Sequence, residues 1–192
     1  MAAREVLHVE HDCVEHDCVE YDCVEHDVEG VRQLPSMQPS GAMFDPSGRY
    51  RYTLWRVWEV AAPRVAFVML NPSTADADRN DPTIRRCIGL AKAWGCGGLE
   101  VVNLFAYRAT RPQDLRQADN PVGKAGDRPL LTAAKRADQI ILAWGNWGSL
   151  YERDRAVLAL LSDYPLYCLG RTQRQQPCHP LYVPRETVPI RY

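Results

Sequence analysis

Val65-Ala-Phe-Val-Met-Leu70 runs straight into Asn71-Pro-Ser-Thr-Ala-Asp76, and this junction decides the fold. Six consecutive apolar residues, two of them β-branched, suit a strand buried on both faces, and the polar proline-containing run after it ends the strand in a loop. Downstream, Asp81-Pro82 reads as a helix start with proline in the first turn. Ile84, Cys87, Ile88, Ala91 and Trp94 then share one face until Gly95. Residues 99–105 form a second buried strand, 106–123 a proline-containing loop, and 124–137 a helix. Residues 139–144 (QIILAW) are a third strand, 151–161 a helix and 166–169 (LYCL) a fourth strand. Upstream, residues 49–59 (RYRYTLWRVWE) alternate large and charged side chains with period two, as a half-exposed strand does. Strands alternating with helices predict an α/β domain over residues 42–192, a mainly parallel four-stranded central sheet flanked by helices.

The first 30 residues differ in kind. They carry ten acidic residues against Arg4 alone and repeat with period five: Val9-Glu-His-Asp-Cys13, Val14-Glu-His-Asp-Cys18, Val19-Glu-Tyr-Asp-Cys23, Val24-Glu-His-Asp-Val28. Five matches neither the helix nor the strand period, so residues 1–41 read as a disordered acidic tail and linker. The repeat lacks the paired Cys-x-x-Cys spacing of a folded zinc site. The remaining 162 positions hold 22 basic and 14 acidic residues, a net charge of +8, and 19 of the bases are arginine. Guanidinium groups pair with phosphate and stack on bases, so a polyanionic partner fits; pairing with scattered surface carboxylates is the alternative. No run of about 18 apolar residues is present, and Met1 to Glu5 lead into acidic residues, so a cytoplasmic protein with reduced cysteines is expected.

In a parallel sheet the loops after the strands converge on one crevice. They begin at Asn71, Asn103, Gly145 and Gly170, and the last carries Cys178-His179-Pro180, with the single histidine outside the acidic first 30 residues. His179 is the strongest candidate. Cys178 suggests a thiol nucleophile, but neighbours on an extended chain point in opposite directions. Asn71 and Asn103 suit either substrate contact or the satisfaction of loop backbone groups. Asp76, Asp78 and Asp81 suggest a Mg²⁺ site, although Asp81 is better placed as a helix cap. No phosphate-binding glycine loop follows any strand, which argues against a P-loop NTPase or a Rossmann dehydrogenase.

Together with Asp81-Pro-Thr-Ile-Arg-Arg86, Val102-Asn-Leu-Phe-Ala-Tyr-Arg108, Ala143-Trp-Gly145 and His179-Pro-Leu-Tyr182, the string Val68 to Asp76 resembles an abundant bacterial and phage domain family over residues 42–185. Through that family the chain is similar to the uracil-DNA glycosylase superfamily, whose first motif follows a buried strand with Asp-Pro or Asn-Pro and whose last motif begins His-Pro. The resemblance extends to bacterial antiphage glycosylases that remove glucosylated hydroxymethylcytosine from phage DNA. It implies that Asn71 orients the attacking water and that His179 donates to the departing base or an adjacent phosphate. It further implies that Asn103 reads the Watson-Crick edge of an extruded nucleotide, with Pro72, Ser73, Thr74 and Phe105 around the base. Arg85, Arg86, Arg108 and Arg171 would hold DNA, as would Leu181 and Tyr182 in a last motif that departs from the common His-Pro-Ser. Ser73 stands where uracil-specific members carry a tyrosine, which opens the pocket to a base enlarged at C5. The implied partner is double-stranded DNA carrying a modified base, bound by a monomer without cofactor, metal or membrane.

Cleavage of an N-glycosidic bond develops positive charge on the sugar and negative charge on the base, which neutral or cationic donors stabilise. Lys92, Lys124 and Lys135 are the only lysines and none adjoins the strand-end motifs, so an enzyme without strand-cutting lyase chemistry is expected. Cys87, Cys96, Cys168 and Cys178 lack cluster spacing, which predicts no iron-sulfur centre. Two other classes fit the residues: a non-catalytic reader of modified or single-stranded nucleic acid that stacks bases on Trp144, Trp147 or Phe105, and a hydrolase or transferase of free nucleotides.

Overall fold

The structure, a computed structural model, describes residues 39–192; the acidic repeat and most of the expected linker lie outside the described residues. Seven strands form one sheet: β1 (Ser40–Phe44), β2 (Arg51–Val57), β3 (Arg64–Met69), β4 (Gly98–Asn103), β5 (Gln139–Leu142), β6 (Leu166–Cys168) and β7 (Ile190–Arg191). Their spatial order is β1-β2-β4-β3-β5-β6-β7. The β4-β3, β3-β5 and β5-β6 pairings are parallel, whereas β1-β2, β2-β4 and β6-β7 are antiparallel.

The expectation of a mainly parallel four-stranded sheet is therefore wrong: the sheet is mixed, has seven strands, and half of its pairings are antiparallel. Each missed strand has a physical reason. β1 begins inside the stretch that reads as linker, because Ser40-Gly41 resembles a flexible joint. Gly41 is instead a packing residue, since a Cβ there would lie 2.1 Å from the Trp55 ring across the strand pair. β7 has two residues, too few to show any periodicity, and is held by pairing with Tyr167 and Cys168.

β2 departs from its expected facing as well. Arg51, Thr53 and Arg56 are buried with Leu54, while Tyr52 and Trp55 are half-buried. The charged residues face inward because they have carbonyls to meet. The Arg51 Nη1 donates to the Ala75 carbonyl at 2.8 Å, and the Arg56 Nη2 donates to that of Asp76 at 2.7 Å. Arg56 Nε reaches Asn80 Oδ1 at 2.9 Å. Two buried arginines thus tie down the loop that follows β3.

Strand alternation sends Val65, Phe67 and Met69 to one face of the sheet and Ala66, Val68 and Leu70 to the other. Against the first face packs α1 (Pro82–Ala93) through Ile84, Cys87, Leu90 and Ala91. Its N-cap Asp81 accepts from the Ile84 N–H at 2.8 Å, and proline fills the first turn. Against the second face pack α2 (Arg128–Arg136), through Leu130, Ala133 and Ala134, and α3 (Arg153–Leu160), through Val157. The chain leaves β3 toward β4 on one side and leaves β5 toward β6 on the other. Between β3 and β5 the exit direction reverses, and a cleft opens there at the carboxyl ends of the strands. No helix among the described residues is long and apolar enough to cross a membrane.

Candidate functional site

The cleft encloses about 580 Å³ and is lined by segments from every strand-end loop: Asn71 and Ser73, Asn103, Trp144 to Trp147, and Cys178, His179, Leu181 and Tyr182. Asp81, at the start of α1, and Arg51 of β2 also line it. A volume between about 300 and 1,000 Å³ is that of a small-molecule pocket.

Asn71 is held rigidly. Its Nδ2 donates to the carbonyls of Pro72 at 2.9 Å and Ala109 at 2.7 Å, so both amide hydrogens are committed to the loop backbone. The Oδ1 lone pairs are left as the group that can address a ligand. Asn103, the last residue of β4, is the opposite case. It is 8% exposed, and neither its Oδ1 nor its Nδ2 has a hydrogen-bond partner within the protein. Burying both ends of an amide unpaired costs free energy that no nearby contact returns, and such a group at a cleft wall matches a ligand edge with one donor and one acceptor.

His179 is fixed by its own turn. The Leu181 N–H donates to Nδ1 at 3.3 Å, so the neutral ring carries its proton on Nε2. Burial pushes the imidazole below its ordinary range, opposed by the Asp81 carboxylate. The ring is neutral near pH 7 and presents a donor. Cys178 also lines the cleft, but burial pushes its thiol up, with Cys168 adding to the effect, so a thiolate nucleophile is disfavoured there.

Sequence reasoning missed Arg51. It is 2% exposed, burial lowers its pKa to about 10, and Asp81 works against that shift. Its Nε has no partner within the protein. This is a buried cation in the wall of the cleft that Asn103 also lines. The signal is hidden because an arginine in a strand with period-two charge reads as solvent-facing.

The other candidates divide. Ser73 lines the cleft, whereas Pro72 is buried beside it and Thr74 is exposed outside it. Phe105 is fully buried in the core and does not line the cleft; the aromatic rings that do are Trp144, Trp147 and Tyr182. Trp144 is anchored by its indole N–H, which donates to Gln176 Oε1 at 2.7 Å. Leu181 and Tyr182 sit at the rim, 39% and 85% exposed. Arg85 and Arg86 line a neighbouring groove of about 750 Å³ that meets the cleft at Leu181 and also holds Arg185. Arg108 turns away: it donates to the Gly48 carbonyl at 2.9 Å and covers the Phe44 ring. Arg171 stacks on Tyr192, 4.1 Å from the ring centroid.

Asp76 accepts from the N–H groups of Arg79 and Asp78, which hold its carboxyl below the usual range. It shapes its own loop. Among the described residues no group of three or more His, Cys, Asp or Glu side chains is placed to hold a metal ion. Cys87, Cys96, Cys168 and Cys178 are free thiols.

Residues 51–181, about two thirds of the chain, match the family described as protein of unknown function (DUF1643). No curated protein and no solved structure matches the chain.

Proposed function

Because the chain belongs to the DUF1643 family, whose description assigns no activity, we propose a function from the chemistry of the cleft: a monofunctional DNA glycosylase. It hydrolyses the N-glycosidic bond of a base enlarged at C5, such as glucosylated hydroxymethylcytosine in phage DNA, as an antiviral defence in the cytoplasm. The observation that carries this reading is Asn103, an amide with both polar atoms buried and unpartnered in the wall of the cleft. A pyrimidine edge offers the complementary donor and acceptor, and extrusion of the nucleotide from the duplex would bring that edge to such a depth.

The remaining groups fit the same chemistry. Asn71 Oδ1, its amide hydrogens spent on the loop, accepts a hydrogen bond from a water directed at the sugar C1′. The water oxygen bonds to C1′ as the C1′–N bond breaks, and the electron pair passes to the base. His179 Nε2–H donates to that base as charge builds, and Arg51 and Asp81 set the local field. The water's proton passes to solvent, and the base anion is protonated in turn. An asparagine positions water but does not deprotonate it, which suits a transition state whose sugar is already cationic. Ser73, a small residue facing the cleft, leaves space for a C5 substituent. Leu181 and Tyr182 stand exposed at the rim, where a side chain can fill the gap left by an extruded nucleotide.

The test is incubation with unmodified, uracil-containing, hydroxymethylated and glucosylated duplexes, then alkali treatment and mass spectrometry of released bases. Release of a C5-enlarged base with alkali-labile strands is expected. Binding of modified DNA without release would identify a non-catalytic reader, and turnover of free nucleotides alone would identify a nucleotide hydrolase or transferase.

A further inference from the structure

A second cleft, of about 950 Å³, adjoins the first and shares Asn146, Trp147 and Thr172 with it. Its walls carry two aromatic residues, Trp147 and Tyr151, two guanidinium groups, Arg116 and Arg174, and no carboxylate. The Arg116 guanidinium stands 5.3 Å from the Trp147 ring centroid. The ion pairs among the described residues join Arg111 to Asp114, Arg153 to Asp127 and Arg155 to Glu152, so Arg116 and Arg174 keep their charges uncompensated by any of them.

The backbone under this cleft is strained. Tyr151 and Glu152, neither of them glycine, both have φ of 54°. Left-handed conformations at two consecutive residues with side chains persist only where the surroundings enforce them. Phe105 meets Tyr151 edge-on at 6.4 Å, and Arg155 Nη1 donates to Glu152 Oε1 at 2.8 Å. What this turn achieves is to hold an aromatic ring, 62% exposed, at the wall of a basic cleft.

We propose that this second cleft is a subsite for the nucleotide that flanks the extruded one on the same DNA strand, stacked on Tyr151 or Trp147 with its phosphate between Arg116 and Arg174. The inference rests on the reading of the first cleft as a DNA base pocket, and the shared wall at Asn146, Trp147 and Thr172 makes the two sites contiguous. Sequence-tolerant stacking joined to guanidinium contact is how single strands are held. A hexose carried by the modified base fits less well. The charged groups here are donors only, and Asn146 Oδ1 is already engaged by the Thr172 hydroxyl at 2.6 Å.

The experiment uses the full chain and fluorescein-labelled, unmodified oligodeoxythymidylates of two to six nucleotides, with binding followed by anisotropy across a salt series. Tyr151→Gly should weaken binding roughly tenfold. It should change the melting temperature little, because the strain that glycine relieves at the positive φ offsets the lost edge contact with Phe105. A merely structural tyrosine would lower the melting temperature as well. The Arg116→Ala/Arg174→Ala double variant should weaken binding and flatten the slope of log affinity against log salt by about 0.7 for each phosphate that is no longer neutralised. Unchanged affinity and salt slope in both variants would overturn the proposal. So would variants that weaken only a glucosylated nucleoside, since the cleft would then hold the sugar. If no duplex releases a base, yet these variants still lose oligonucleotide binding, the glycosylase reading falls and the nucleotide subsite stands.

Discussion

Replacing Asn103 by leucine should make the protein more stable and useless at once. The residue is 8% exposed and leaves a carbonyl oxygen and an amide nitrogen without partners in the protein. Each buried unsatisfied polar group costs about 1–3 kcal/mol, and leucine fills nearly the same space without polar atoms. Partial access from the cleft reduces the gain, so a stabilisation of about 1–2 kcal/mol is expected. For a protein of this size that raises the melting temperature by about 2–8 °C. Activity should move the other way. Two hydrogen bonds to the base edge disappear, and the base's own donor and acceptor are buried unpaired, so base release should fall by roughly 10²-fold or more. Circular dichroism melts and mass spectrometry of released base on the same preparations give the two readouts. A leucine variant that melts below the parent would show that the amide is satisfied in the folded protein. One that melts higher yet keeps activity within a few-fold would show that Asn103 does not read the base.

His179→Ala should lower base release by roughly 10²-fold through loss of the leaving-group donor, measured under single-turnover conditions. Because burial holds His179 below its ordinary pKa, the unfolded chain takes up a proton at this position before the folded one does as pH drops below about 6.5. Stability should therefore fall as pH drops through about 6.5 and below, and urea midpoints should fall less over that range in His179→Asn. Asn71→Ala should cost activity and also about 1–2 kcal/mol of stability, since two hydrogen bonds to loop carbonyls go with the side chain; full stability in a denaturant titration would contradict that anchoring. Lys92, Lys124 and Lys135 do not line the cleft, so the product should be an intact abasic strand; a borohydride-trapped adduct that disappears in a lysine variant would contradict this. Deleting residues 1–30 should leave folding and base release intact, and a truncated chain that fails to fold would give the repeat a structural role.

Loops 71–76, 145–148 and 170–180 are legible as one crevice because buried strands announce themselves as short apolar runs, and the residues after them are then placed by topology alone. Phe105 shows the limit of the same reasoning. One position past Leu104, it reads as a stacking platform, but the chain still runs inward there and buries the ring completely. Arg108 and Arg171 show another. Charge at a loop reads as charge toward DNA, yet the Arg108 guanidinium donates to the Gly48 carbonyl of its own fold, and Arg171 lies against Tyr192. The arginines of the second cleft, Arg116 and Arg174, carry no sequence signal that sets them apart.

The central strands, the three helices, the cap at Asp81 and the convergence of Asn71, Asn103 and His179 are legible in the amino-acid order. Each of these follows from local periodicity, a capping residue or chain order. The extent and sense of the sheet and the facing of β2 are set by long-range pairing instead. Antiparallel edges such as β1 and β7 are made by hydrogen bonds to a neighbour, and a strand of two residues or one containing Gly41 has no pattern of its own. Likewise, Arg51 and Arg56 turn inward because carbonyls of a loop 20 or more residues away accept from them, a relation that no window of sequence contains.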